Sequence, residues 1–172
     1  MAGKVFFSVS MSLDGFIAPE SLEGFIAPEE RRDDPDVQRW MAQWTELQQW
    51  IFPQRFFREN LKLGEGGEEG LDNDIARETF ERTGASVMGK RMFDAGEQAW
   101  PAEAPFHTPV FVVTHDVNAG LIDEFSIALS PVLFGSGIRL FEGVDAGRVA
   151  LEPVRAEPTQ RVIHLTYTVH ER

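Results

Sequence analysis

The sequence of 172 residues has no cysteine, which excludes disulfides, thiolate metal ligands and cysteine nucleophiles. Basic residues are also few, because 16 Lys and Arg stand against 28 Asp and Glu, for a formal net charge of −12. Such a surface repels phosphate backbones and anionic lipids, so neither nucleic acid nor a membrane is expected as a partner. No apolar run approaches the ~20 residues of a membrane span, and the N-terminus lacks a signal-peptide pattern. These absences predict a cytoplasmic globular protein.

Several chemical signatures are missing as well. The sequence contains no G-x-G-x-x-G, no phosphate-loop lysine pattern and no G-x-S-x-G. Its four histidines have no paired ligand spacing, so no metal site is expected. Any catalytic or binding site must therefore be built from residues outside these common motifs.

Helical and strand patterns alternate along the chain, which predicts an α/β fold with a mixed sheet. A first strand from Val5 to Met11 has one apolar face and ends at an Asp-Gly turn. The run Val110–Thr114 has the pattern of a strand buried on both faces, in the same sheet as the strand near Phe125–Leu129. Val149–Val154 and Arg161–Val169 predict two antiparallel C-terminal strands.

Two helices are predicted between these strands. Asp34 can cap the first helix and Pro35 suits its first turn. Trp40 and Trp44 recur at helical spacing along it, and such aromatics either fill the core or form a lid over an aromatic substrate. The second helix starts at residue 72, 73 or 74 and ends near Gly84.

The segment 12–29 is a tandem duplication. Residues 12–20 read SLDGFIAPE and residues 21–29 read SLEGFIAPE, with Asp14 replaced by Glu23. Two copies are too few for a stacked repeat architecture. The first copy is predicted to hold the native turn, and the second to form a surface loop.

Five motifs in a fixed order carry a family resemblance. They are SLDGFIA after the first strand, VMGKRMF at 87–93, FVVTH at 111–115, AGLIDEF at 119–125 and PVLFGSGIRLF at 131–141. Together they resemble the reductase domain of riboflavin biosynthesis, the C-terminal half of the bifunctional deaminase–reductase, and stand-alone dihydrofolate-reductase-like proteins. The resemblance implies one dihydrofolate-reductase-like domain over residues 1–172, whose mostly parallel central sheet is flanked by helices and followed by antiparallel strands. It also implies NADPH as the cofactor and a homodimer.

The resemblance also implies where the cofactor binds. Gly89, Lys90 and Arg91 match the turn beside the NADPH phosphates, where a glycine permits close approach and two cations attract anions. Thr114 and His115 match the region that meets the adenosine 2′-phosphate. An ordinary solvated turn and an ordinary strand end are the alternatives.

Two further motifs are assigned in the same way. Asp14 matches the substrate and nicotinamide edge and is the candidate catalytic residue, with a turn-forming Asp-Gly pair as the alternative. Gly135, Ser136 and Gly137 form either a tight turn or part of the cofactor site.

One departure from the family separates three hypotheses. Related proteins carry a helix, a strand, a Gly-Gly turn and another helix where this chain has only Asp116, Val117 and Asn118. Such a unit needs roughly 30 residues, so either it is lost or the sequence joins two separated segments, with a chain break between Thr114 and Gly120. The chain is then an NADPH-dependent reductase of a small heterocycle or carbonyl compound (pyrimidine- or pterin-like), a non-catalytic ligand-binding or scaffold protein, or a rearranged variant.

Overall fold

The computed structural model describes residues 3–19, 31, 33–89, 93, 106, 108–113 and 122–171. Several predicted features lie outside these ranges. They are the second copy of the duplication at 21–29, the candidate cofactor residues Lys90, Arg91, Thr114 and His115, and the junction at 116–118 with its predicted chain break.

The described residues form strands and helices in an α/β order, which confirms the predicted fold class. The elements are β1 (Phe6–Ser12), β2 (Phe16–Ala18), α1 (Pro35–Leu47), α2 (Arg55–Asn60), α3 (Leu71–Glu81), β3 (Ser86–Gly89), β4 (Val110–Val113), β5 (Glu124–Ser130), β6 (Ile138–Arg139), β7 (Val149–Pro158) and β8 (Ile163–Glu171). The chain divides into two compact units, residues 1–49 with 119–172 and residues 50–118. The single domain over 1–172 stays a prediction.

The first unit contains a four-stranded mixed sheet in the order β1-β5-β8-β7. β1 and β5 run parallel, and β8 pairs antiparallel with β5. β8 also pairs antiparallel with β7, as predicted for the two C-terminal strands. Aromatic rings fill one face, where Phe125 stacks on Phe7 at 5.2 Å and on Tyr167 at 5.3 Å between ring centroids. Burial of such rings is the main stabilising contribution of this face.

The faces of β1 differ from the sequence expectation of one apolar face. Ser10 and Ser12 are buried, while the neighbouring Val9 and Met11 are only half-buried. Each serine has a hydrogen-bond partner, and Ser10 Oγ donates to Gln48 Oε1 at 2.8 Å, directly after α1. Hydrogen bonding removes the cost of burying a hydroxyl, so alternation alone misjudged this face.

The start of α1 agrees with the predicted capping. Asp34 Oδ1 accepts the backbone N–H of Asp36 at 2.9 Å, and Pro35 is the first helical residue. This hydrogen bond, with a second contribution from Arg31, lowers the pKa of Asp34 below the ordinary aspartate value. Among the described residues, no helix combines the length and apolar character needed to span a membrane.

The second unit holds α2, α3 and the parallel pair β3/β4. Buried polar side chains tie its helical part together, because Asn73 Oδ1 accepts the N–H of Phe56 at 2.8 Å and Gln54 Nε2 donates to the carbonyl of Trp50 at 2.7 Å. α3 begins at Leu71, one residue before the predicted range of starts.

Two expectations about β4 are wrong. Phe111 is 57% exposed and Val112 is exposed too, so the strand is not buried on both faces. β4 and β5 also lie in different sheets, because β4 pairs with β3 in a two-stranded sheet. A strand becomes fully buried only when other elements cover both of its faces, and the local sequence does not specify that cover.

Candidate functional site

Two motifs that are distant in sequence meet in the first unit. β1 and β5 are parallel with Ser12 opposite Ser130, so the chain leaves both strands at the same edge of the sheet. The Asp14 turn that follows β1 contacts the loop that follows β5, which contains Gly135. Ligands of open α/β sheets bind outside the carboxyl ends of such strands, so this edge is a reasonable place for a site.

Hydrogen bonds to the Asp14 carboxylate form the centre of this contact. Its Oδ2 accepts the N–H of Gly135 at 2.7 Å, and its two oxygens accept the N–H of Phe134 at 3.2 and 3.1 Å. Ser12 Oγ donates to Oδ1 at 2.6 Å. We call these contacts among Ser12, Asp14, Phe134 and Gly135 the Asp14 clasp.

Ser12 has a further contact beyond the clasp, and Arg139 contacts the same turn. Neither residue had a role predicted from the sequence. The fully buried Ser12 also accepts the N–H of Phe16 through Oγ at 3.0 Å, so one hydroxyl serves both sides of the turn. The Arg139 guanidinium lies 4.4 Å from the ring centroid of Phe16 and donates to the Asp14 carbonyl at 3.4 Å. The spacing of Ser12, Asp14 and Gly15 was a usable turn signal, whereas the role of Arg139 depends on long-range pairing.

The surroundings of Asp14 favour its charged form. Partial burial acts to raise its pKa, but hydrogen bonds from the Ser12 hydroxyl and from the N–H groups of Gly135 and Phe134 outweigh this effect. The pKa of Asp14 therefore lies below the ordinary aspartate value. Such a carboxylate accepts hydrogen bonds well and is poorly suited to donate a proton at neutral pH.

The Phe134–Gly137 loop can be tested against the NADPH phosphates. The N–H groups of Phe134 and Gly135 already donate to a carboxylate, and that negative charge would repel a phosphate at the same place. This part of the loop does not fit a phosphate. Gly135 and Ser136 are exposed, so the loop surface can still face an uncharged part of a ligand.

The two glycines of this loop have different structural demands. Gly137 has φ +147°, and a Cβ there would lie 2.3 Å from the Ala18 carbonyl oxygen. Gly135 has φ +75°, but a Cβ there would meet no atom within 4 Å. The interpretation of the motif as a tight turn thus has a direct steric basis at Gly137.

Gly89 lies at the end of β3, where it is opposite Val113 in the parallel register with β4. It is exposed, and a Cβ there would meet no atom within 4 Å. The fold does not require glycine at this position, and the open space is compatible with close approach of a cofactor phosphate. Lys90, Arg91, Thr114 and His115 lie outside the described residues, so their cofactor roles stay predictions.

Trp40 and Trp44 stack on one face of α1 with centroids 6.2 Å apart. Trp40 is only 7% exposed, in line with Val37 and Leu47 on the buried face of the helix, whereas Trp44 is half-buried. This placement matches the core interpretation for Trp40. The lid role stays a prediction.

A small open cavity of about 210 Å³ lies beside the clasp. Its lining residues are Leu13, Leu129, Ser130, Pro131, Thr159, Gln160, Arg161, Val162 and Ile163. Within the described ranges, no group of three or more His, Asp or Glu side chains is arranged to hold a metal ion.

Comparison with solved structures identifies the class of fold. The structure is similar to a protein from Shewanella sp. PV-4 described as a riboflavin biosynthesis protein, with a TM-score of 0.57, 18% identity and coverage of 99% of both chains. The neighbours also include RibD of Acinetobacter baumannii (TM-score 0.40, 19% identity), of which this chain covers 58% while 98% of this chain is matched. Dihydrofolate reductase from Enterococcus faecalis, solved with NADP(H), has a TM-score of 0.40 at 13% identity, with 98% of this chain and 96% of that chain matched.

The Shewanella protein, matched along its whole length, confirms the fold that the resemblance of the five motifs implied. No protein-family model and no curated protein matches the sequence.

Proposed function

We propose that this protein is an NADPH-dependent reductase of a small heterocyclic or carbonyl substrate, of the type found in riboflavin biosynthesis. The observation that carries the proposal is the parallel register of Gly89 with Val113 within a fold that matches a riboflavin biosynthesis protein along its whole length. Lys90 and Arg91 directly follow one strand end in the sequence, and Thr114 and His115 directly follow the other. Carboxyl ends of parallel strands are the usual ligand side of an α/β sheet.

The chemistry is divided between cofactor and protein. A bound nicotinamide supplies the hydride, and the chain supplies binding, orientation and electrostatics. In this proposal Gly89 leaves room for a phosphate, Lys90 and Arg91 neutralise it, and Thr114 and His115 contact the 2′-phosphate. The clasp fixes the loop after β5, whose exposed Gly135 and Ser136 are candidates for contact with an uncharged group.

The proposal includes a homodimer. The features of β7, at one edge of the four-stranded sheet, indicate whether two copies could pair there. β7 is the last described strand in the sheet order, and it carries Pro153, a register shift between Pro153 and Arg155, and the ion pair of Arg155 with Glu157. Proline, bulges and charges on an edge strand oppose pairing with another strand. We therefore place the contact between copies away from β7.

A cofactor titration tests the proposal. Arg91→Ala should weaken NADPH binding roughly tenfold or more, with a larger loss for NADPH than for NADH or a clear phosphate-dependent loss, because a cation near a phosphate contributes a charge-assisted hydrogen bond. The readout is the fluorescence of the bound dinucleotide in parallel titrations with NADPH and NADH. Arg39→Ala is the matched control, because Arg39 is an exposed arginine on α1 that pairs with Asp36.

Failure of the unaltered protein to bind NADPH would end the reductase proposal. NADPH binding that is the same in Arg91→Ala as in Arg39→Ala would remove Arg91 from the site but leave the cofactor in place.

A non-catalytic ligand-binding or scaffold protein is the second candidate. One observation favours it, because the Asp14 carboxylate at the edge of the sheet already accepts hydrogen bonds from Ser12 and Gly135 of its own chain. Absence of NADPH binding together with a cooperative unfolding transition would favour this second candidate.

A further inference from the structure

We infer that Asp14 is a positioning residue, an internal anion that fixes the Phe134–Gly137 loop against the turn between β1 and β2 and is not the proton donor of the reaction. The inference deepens the proposed function, because it takes this loop as facing the ligand. It rests first on the hydrogen bonds, since three donors converge on the Asp14 carboxylate, and the most distant of them, Gly135, lies 121 positions from Asp14 in sequence.

The second step concerns the available lone pairs. Both carboxylate oxygens accept hydrogen bonds from the protein, with Gly135 and Phe134 donating to Oδ2 and with Ser12 and Phe134 donating to Oδ1. A group that donated a proton to a substrate would have to protonate first, and protonation would weaken the bonds from these donors. If Asp14 donated a proton in each turnover, its hydrogen bonds to the loop would weaken each time that it was protonated.

The third step concerns charge. β1, β2 and the loop 131–137 contribute no charged side chain apart from the turn residue Asp14 itself. Arg139 on β6 donates to the Asp14 carbonyl from its place over Phe16. Arg139 bonds to the backbone carbonyl, so the ionised carboxylate is favoured by the hydrogen bonds from Ser12, Gly135 and Phe134.

The packing gives the loop a second, independent restraint. Gly137 approaches the Ala18 carbonyl so closely that only a glycine fits, and Leu13 N–H donates to the Val132 carbonyl at 2.9 Å. The hydrogen bonds of the clasp thus fix the middle of the loop, while Val132 and Gly137 restrain its two ends. Loss of Asp14 should free the Phe134 and Gly135 amides without unfolding the sheet.

Amide hydrogen exchange at pH 7 tests this assignment. In Asp14→Asn, exchange at Phe134 and Gly135 should accelerate roughly tenfold or more, because two N–H groups lose a charged acceptor. Exchange at Val169, whose N–H donates to the Asp123 carbonyl, should not change. The matched control is Asp145→Asn, because the Asp145 carboxylate accepts the N–H of Gly147, two residues away, at 2.9 Å.

The ionisation state separates a positioning residue from a proton donor. The ¹³C shift of the Asp14 carboxyl carbon in the unaltered protein should stay constant from pH 6 to pH 8, as for a carboxylate that is already ionised. A proton donor that works at neutral pH would titrate in this interval. This measurement needs no variant, so it tests whether Asp14 is the proton donor even if Asp14→Asn does not fold.

The outcomes are distinct. Unchanged exchange at Phe134 and Gly135 in Asp14→Asn, or a carboxyl titration between pH 6 and pH 8, overturns the inference. Accelerated exchange with a constant carboxyl shift supports it. NADPH titration of the unaltered protein is run in parallel, and its failure would remove the proposed reductase function while the exchange result still decides the role of Asp14.

Discussion

The parallel pairs β1/β5 and β3/β4 both contain many apolar residues, but their surroundings are very different. In the first, Phe125 is 3% exposed, and β8 pairs with β5 on the side opposite to β1. In the second, Val87 is 66% exposed and Phe111 57%. Parallel strands normally have both faces covered, so β3/β4 is the unusual pair. Apolar alternation thus specifies that a strand forms, whereas its cover comes from elements distant in sequence.

The largest expected contrast between the two pairs is in stability. Phe125→Ala removes a ring that contacts Phe7, Phe141 and Tyr167, so it should lower the free energy of unfolding by about 3–5 kcal/mol. Phe111→Ala on β4 is the control and should change it by no more than about 0.5 kcal/mol. Urea unfolding measures both variants. Phe125→Leu, which keeps most of the buried volume, provides an intermediate value if the alanine variant does not fold.

Equal losses in Phe125→Ala and Phe111→Ala would break the comparison. They would mean that β4 is covered in solution as well as β5 is, and the sequence expectation of a buried β4 would then be restored.

The same comparison shows how much the sequence could predict. Local signals sufficed for the Asp34 cap, the β8 pairing and the turn at Asp14, because each depends on neighbouring residues or on a clear alternation. The exposure of Phe111 could not be predicted, since the burial of a strand face depends on which other elements pack against it. The partners of Asp14 were also out of reach, because Gly135 lies 121 positions away and reaches Asp14 only through the β1/β5 register.

The candidate site glycines give a second contrast between the two regions. Gly137→Ala should cost about 1–3 kcal/mol of stability, because the backbone has φ +147° and the new Cβ would overlap the Ala18 carbonyl. Gly89→Ala on β3 should lie within about 0.5 kcal/mol of the unaltered protein, because its Cβ would meet nothing within 4 Å. Thermal and urea unfolding check the pair. A cost at Gly89 as large as that at Gly137 would contradict the open surroundings of β3.

The smallest expected effect is the pH dependence of the clasp. The pKa of Asp14 is lower in the folded protein than its ordinary value of 3.8, so the folded state binds this proton more weakly than the unfolded chain does. The carboxylate therefore stabilises the fold fully above that ordinary value, and this stabilisation is lost as the pH falls through the lowered pKa. Because Asp14 is half-buried, its contribution should be about 1 kcal/mol at neutral pH.

Comparison of the unaltered protein with Asp14→Asn at two pH values measures that contribution. Urea unfolding at pH 7 should show the unaltered protein to be the more stable by this amount, and the difference should be smaller at pH 2, because the stabilisation is lost as the pH falls through the lowered pKa of Asp14. Asp145→Asn again serves as the control, since the Asp145 carboxylate accepts the N–H of Gly147, which is only two residues away in sequence. A difference between the unaltered protein and Asp14→Asn that is the same at both pH values would show that the charge of Asp14 is not what holds the loop.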